Sequence, residues 1–178
     1  MNKILTVLFI FCFMSDEKTI IFDFNKNTNI SIWQVVDDGV MGGLSQGNLK
    51  INDVGNGIFY GFVSTKNNGG FSSIRYRFSK KNVAKYSKII LKIKGDGKNY
   101  QLRIKNNSKD YYSYVKPFIT TQNWSLIEIK LSDMYPTFRG RKLNIENFSE
   151  ESIEELAILI GNKKNEQFQL EIDKIYLQ

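Results

Sequence analysis

Two adjacent carboxylates, Asp37 and Asp38, close the segment Trp33-Gln34-Val35-Val36 and open a run carrying Gly39, Met41, Gly42, Gly43, Ser45 and Gly47. Acids beside that many glycines offer oxygens and closely approachable backbone amides, a set able to hold sugar hydroxyls, a cation or a partner's loop. The same residues also suit plain turn-making, with Trp33 and Met41 plugging one end of a sandwich. A phosphate cradle does not fit, because a strand-like segment rather than a helix N-terminus follows the glycines. Glycosidase chemistry needs two carboxylates facing each other across roughly 5–9.5 Å. Successive residues of an extended segment point to opposite sides, and nothing in the sequence selects Asp96 or Asp133 as the second acid.

Histidine is absent, and Cys12 is the only cysteine. Ser-His-Asp and Cys-His nucleophile systems are thereby excluded, as are zinc and redox-metal sites built on imidazole or thiolate. No cofactor and no metal ligand set is expected, and the chain reads as a binding domain rather than an enzyme.

Other candidates sit further along. Asn68-Gly69-Gly70-Phe71-Ser72 is a second glycine turn, placed to lie beside the first because strand ends gather at the poles of a sandwich. Arg75 and Arg103 fall in otherwise apolar strands, where a guanidinium needs a partner, and the expected partners are Asp37 or Asp38. Arg139-Gly140-Arg141 reads as a loop with two forks for carboxylate or phosphate. Tyr111, Tyr112 and Tyr114 lie among lysines, but period two splits them between faces and argues for ordinary sheet packing over a stacking platform.

Charge is unevenly spread over the 178 residues, whose net charge is +7. Residues 75–116 hold thirteen Lys or Arg against Asp96 and Asp110, whereas residues 143–178 hold eight acids against three lysines. Such a basic middle suits an acidic protein, a nucleic acid or an anionic membrane surface, or serves solubility alone. The expectation is a monomer with a protein partner, a glycan as the alternative, and no nucleic acid. Residues 1–15 read as an export signal, with Asn2-Lys3 ahead of an apolar run from Ile4 to Met14, which places the protein in the periplasm or cell envelope. Membrane contact is expected only if Cys12 is lipidated.

The elements that must position these residues are short strands: 19–24, 32–36, 48–51, 58–64, 71–78, 88–94, 100–105, 111–115, 125–131, 156–160 and 167–177. Ile89, Leu91 and Ile93 alternate with lysines, giving one dry and one wet face. Residues 149–155 are expected to form the one helical turn, with Ser149 as its cap. Many strands and little helix predict an all-β, antiparallel sandwich of jelly-roll type spanning 16–178 as one domain.

The motifs carry a resemblance as well. The segment from Trp33 to Gly47 resembles the signature at the start of the CIA30 family, the complex I intermediate-associated protein 30 domain. Residues 67–75 resemble its second block, and residues 91–100, with their Gly-Asp-Gly turn, its third. Arg103, Trp124, Phe138-Arg139-Gly140-Arg141 and Leu170-Glu171-Ile172-Asp173-Lys174-Ile175 continue the correspondence in order. The resemblance implies a galactose-binding-domain-like fold and an assembly-factor or chaperone role toward a respiratory or envelope complex. A carbohydrate-binding module of the same fold is the alternative it leaves open.

Overall fold

The structure is a computed structural model that describes residues 17–178. The export signal and Cys12 lie outside the described residues. Thirteen strands form two antiparallel sheets. The first sheet orders β3 (Gln46–Ile51), β4 (Gly57–Val63), β13 (Glu166–Leu177), β6 (Lys88–Lys94) and β9 (Ser125–Lys130), with β1 (Thr19–Asp23) also pairing β13. The second orders β11 (Arg141–Lys142), β10 (Tyr135–Phe138), β8 (Ser113–Ile119), β7 (Asn99–Lys105), β12 (Ser152–Ile160), β5 (Ser72–Asn82) and β2 (Trp33–Asp37). The expected antiparallel sandwich is therefore the observed one.

Alternation explains how the sheets face each other. Ile89, Leu91 and Ile93 of β6 pack with Phe168, Leu170 and Ile172 of β13 against Ile74 of β5, Leu102 and Ile104 of β7, and Leu156 and Ile158 of β12. Each such side chain contributes roughly 1.5–3 kcal/mol by leaving water. The long β13 holds the first sheet together: residues 166–172 pair β4, residues 174–177 pair β1, and its other edge pairs β6.

Two elements differ from expectation. Residues 149–155 form no helix. Ser152 instead begins β12, where its hydroxyl donates to Asn106 Oδ1 at 2.8 Å, and Ile153 is fully buried. A bulge between Ile153 and Glu155 breaks the period-two pattern, and acids at 150, 151, 154 and 155 imitate a solvated helix face. Helical structure among the described residues consists of short 3-10 turns. The Arg139-Gly140 loop is also more regular than expected: both residues have positive φ, 47° and 75°, and they close a two-residue hairpin between β10 and β11.

Trp33, which opens the candidate binding segment and also suits a plug at one end of the sandwich, is a core residue. Its ring lies 5.1 Å from Phe22, 5.5 Å from Phe24 and 5.2 Å from Tyr76, and it is 5% exposed. Its indole N–H is buried and has no hydrogen-bond partner among the described residues. Trp33→Phe removes that orphan donor together with part of the packing volume. We therefore expect a loss of only about 1 kcal/mol in urea unfolding, well short of a full truncation.

Candidate binding cleft

The outer face of the seven-stranded sheet is set by its register. On β12, Glu155, Ala157 and Leu159 alternate with the core residues Leu156, Ile158 and Ile160. Ala157 is paired with Arg75 on one side and Arg103 on the other, Leu159 with Ser73 and Gln101, and Glu155 with Arg77 and Lys105. Because directly paired residues share a face, these form three parallel rows across the sheet. Above them lies a cleft of about 870 Å³, rimmed by residues 65–71, the hairpin tip 139–140 and residues 161–163.

Its electrostatics are lopsided. Glu155, only 3% exposed, accepts from Arg77 Nε at 2.8 Å and lies 3.3 Å from Arg75 Nε. The Arg75 Nε is buried and makes that ion pair without an aligned hydrogen bond. Arg103 gives Nε and Nη2 to one acceptor, Gln101 Oε1, at 3.2 and 2.9 Å. Among the described residues no carboxylate lies within ion-pair reach of it. Burial lowers the proton affinity of Arg103, and the neighbouring Arg75 charge lowers it further. Lys105 is likewise pushed down by burial, partly offset by Glu155, and donates to Asp110 O at 2.5 Å.

Backbone strain gathers at the same place. The described non-glycine residues with positive φ are Asn67, Asn68, Arg139 and Lys163, and all four belong to the loops around the cleft. Asn tolerates the left-handed region, but Arg and Lys adopt it at a cost of order 1 kcal/mol or more.

The glycine-rich signature supports the rim from behind. Asp38 is fully buried and accepts from Ser45 Oγ at 2.5 Å, Ser45 N at 3.1 Å, Gly70 N at 2.6 Å and Phe71 N at 3.2 Å. Ser45 Oγ in turn accepts from Ser64 N at 3.0 Å. A Cβ at Gly69 would lie 2.6 Å from Asp38 Oδ2 and 2.8 Å from Ser64 O, so a close approach requires glycine there. Asp37 accepts from Gly47 N at 3.0 Å. The expected pairing of these acids with Arg75 or Arg103 is thus corrected. Asp38 is consumed by Ser45 and the 70–71 amides, Arg75 meets Glu155, and Arg103 meets Gln101.

Of the sequence candidates, Asn68, Phe71, Arg75, Arg103 and Arg139 are brought together as cleft lining, while Asp37, Asp38 and Ser45 lie behind it as support. Arg141 sits exposed on the short edge strand β11 and does not line the cleft. The Met41 side chain lies outside the described residues. Sequence reasoning missed Glu155, Ala157 and Gln101. Glu155 was hidden by the helical reading of 149–155, whereas Ala157 and Gln101 lay in expected strands and carry no signal of their own.

A second face differs in kind. On the outer side of β3, β4 and β13, Gln46, Phe62 and Gln167 form one row and Asn48, Tyr60 and Gln169 the next, over a shallow hollow of about 520 Å³. Among the described residues no group of three His, Cys, Asp or Glu is placed to hold a metal ion. No described helix is long and apolar enough to cross a membrane.

Solved structures share this architecture. A family 11 carbohydrate-binding module from Clostridium thermocellum, solved with a β-1,3-1,4-mixed-linked tetrasaccharide, superposes with a TM-score of 0.65 at 18% identity, covering 90% of this chain and 94% of that one. An agarase matches with a TM-score of 0.61 at 11% identity over 90% of this chain and 24% of its own. A family 29 carbohydrate-binding module matches at 0.53 and 9% identity, over 91% of each chain. At these identities the likeness is one of fold: a jelly-roll, galactose-binding-like sandwich. A model for complex I intermediate-associated protein 30 (CIA30), a non-catalytic kind of domain, matches residues 22–172, so nearly the whole sandwich is covered and the chain belongs to the CIA30 family.

Proposed function

We propose that this protein is an exported assembly factor that holds a protein partner in the cleft on its seven-stranded sheet. One observation carries the reading: the cleft is patterned by charge and poor in rings. Among the described residues, Arg75, Arg103, Arg139 and Lys163 line it against Glu155 alone, and Phe71 is the only aromatic in the lining. Glycan sites need ring faces for stacking, whereas a partner's polar surface needs complementary charge. Family membership supports the assembly role, and the apolar run ahead of the domain supports export.

Ala157→Trp tests the reading, because an indole at the centre of the floor fills the cleft and leaves its charges in place. Affinity capture from the native cell envelope with the tagged wild type should recover a partner that Ala157→Trp does not. Recovery of the same partner by both proteins would reject the cleft.

A specific feature favours glycan binding as the second reading. Tyr60 and the exposed Phe62 on β4 are each flanked by two side-chain amides, and none of the four amides hydrogen-bonds within the described residues. Rings with uncharged donors and acceptors beside them suit sugar recognition. Glycan-array binding lost in Phe62→Ala and kept in Ala157→Trp would establish this reading in place of the first.

A further inference from the structure

We infer that the cleft contains a carboxylate seat between Arg75 and Arg103, and that its occupant is an acidic segment of the protein partner. The inference rests on the cleft reading above and names the chemistry that the cleft selects.

The sheet itself supplies the comparison. In one row Arg77 and Lys105 flank Glu155, whose carboxylate takes Arg77 Nε at 2.8 Å and reaches back to Arg75 Nε at 3.3 Å. Two residues along β12 the pattern of flanking cations repeats, with Arg75 on one side and Arg103 on the other, but the central residue is Ala157. Two strand spacings separate the flanking backbones by about 10 Å, and an alanine between them leaves the space over the row unfilled. Arg103 uses two of its five N–H groups on Gln101, so other donors are left for a ligand. Its charge is held against burial and against Arg75, and no carboxylate among the described residues is in ion-pair reach to compensate. A carboxylate from outside relieves both effects and pairs with a planar fork. Glu155 in the adjacent row favours a singly charged ligand over a dianion. The single ring in the lining favours an extended peptide over a uronic-acid chain.

The test measures fluorescence anisotropy with a fluorescein-labelled decapeptide of alternating Glu and Gly, its Gln-Gly counterpart and a labelled oligogalacturonate. The wild type should bind the Glu-Gly peptide and not the Gln-Gly peptide. Arg103→Gln should weaken that binding about tenfold, and Arg77→Gln, whose side chain is already committed to Glu155, less than about twofold. Arg103→Lys should recover only part of the affinity, since it restores charge without the fork. The Arg103 Nε–H resonance should shift on titration.

Equal binding of both peptides, binding only of oligogalacturonate, no binding of any probe, or full affinity in Arg103→Gln would each overturn the seat. Ala157→Trp separates the two failures. Peptide binding that survives Arg103→Gln but is lost in Ala157→Trp leaves the cleft standing and sinks the seat, while binding that survives both sinks the cleft as well. Circular dichroism checks each variant's fold, and Ser73→Tyr, in the neighbouring row, replaces Ala157→Trp if that variant does not fold.

Discussion

Asp38→Ala is expected to lower stability by about 4 kcal/mol in urea unfolding at neutral pH, with the amides of Gly70 and Phe71 becoming the fastest newly exchanging sites. The carboxylate is fully buried and accepts four bonds, from the Ser45 hydroxyl and from the N–H groups of Ser45, Gly70 and Phe71. Hydrogen bonds to a charged acceptor are worth about 1.5–3 kcal/mol each, and truncation leaves donors facing a cavity, partly relieved by entering water. Asp38→Asn keeps the shape but aims an amide N–H₂ at N–H donors, so it recovers little of the loss. Acid should show the same interaction from the other side. Burial alone raises the Asp38 pKa, but the Ser45 hydroxyl and the three backbone donors more than reverse this and hold it below the ordinary value of 3.8. A carboxyl whose folded pKa is depressed contributes stability that is fully present above the unfolded pKa and is lost as pH falls through the folded one. The gap between wild type and Asp38→Asn should therefore be constant from neutral pH to about 5 and narrow below 4. A gap that does not change with acid would show that charge at position 38 is not what binds the two loops.

Much of the fold was legible because it rests on period two. The alternation of Ile89, Leu91 and Ile93 with lysines marks β6 directly, and the Gly95-Asp96-Gly97 turn separates it from β7. The failures fall where local pattern and tertiary context disagree. The bulge in β12 shifts its register, so Glu155 and Leu156 read as the end of one element and the start of another. The β10–β11 hairpin is two residues deep and closed by an arginine in the left-handed region, a residue type that signals no turn. For the site, five residues singled out in the sequence line the cleft, but Arg75 and Arg103 were expected to meet acids that are bonded elsewhere. Strand order is the missing quantity: the acidic β12 is inserted between the basic β5 and β7. This insertion also accounts for the separation of charge along the chain. Basic and acidic segments far apart in sequence become neighbours, and one acid on the shared outer face is left to meet several cations.

The signature acids share a common role in this arrangement. Asp38 ties residues 45 and 70–71 together, Asp37 holds the Gly47 amide, and Asp96 takes Lys98 Nζ at 2.8 Å and the Gln169 N–H at 2.9 Å. Asp96 thereby fixes a turn against β13, Asp37 ties the end of β2 to β3, and Asp38 ties the 70–71 segment to the residue that precedes β3. The glycine-rich segment 37–47 is thus a support, and Arg75 and Arg103 stand on strands beside the rim that it holds. Regular strands carry Arg75 and Arg103, which keeps these two arginines at fixed spacing.

Glu155→Ala should move stability and binding in opposite directions. The carboxylate is 4% exposed and is shared by Arg75 and Arg77, whose side chains are 29% and 56% exposed. Removing one partner of a buried ion pair costs 3–5 kcal/mol when the orphaned charge stays buried; Arg77 can turn to water while the Arg75 Nε is buried, so about 3 kcal/mol is expected. Lys105 loses the attraction that offsets its burial, and its pKa should fall further. Glu155→Gln should lie between wild type and Ala, because its one amide oxygen keeps an acceptor for one Nε group while its N–H₂ faces the other. The same substitution frees Arg75 for the row it shares with Arg103, so affinity for an acidic peptide should rise by about threefold even as the fold weakens. Urea unfolding and peptide anisotropy on the same preparations check both halves. A loss of affinity in Glu155→Ala would show that Glu155 orients the arginines toward the ligand, whereas a gain shows that it competes with the ligand for them.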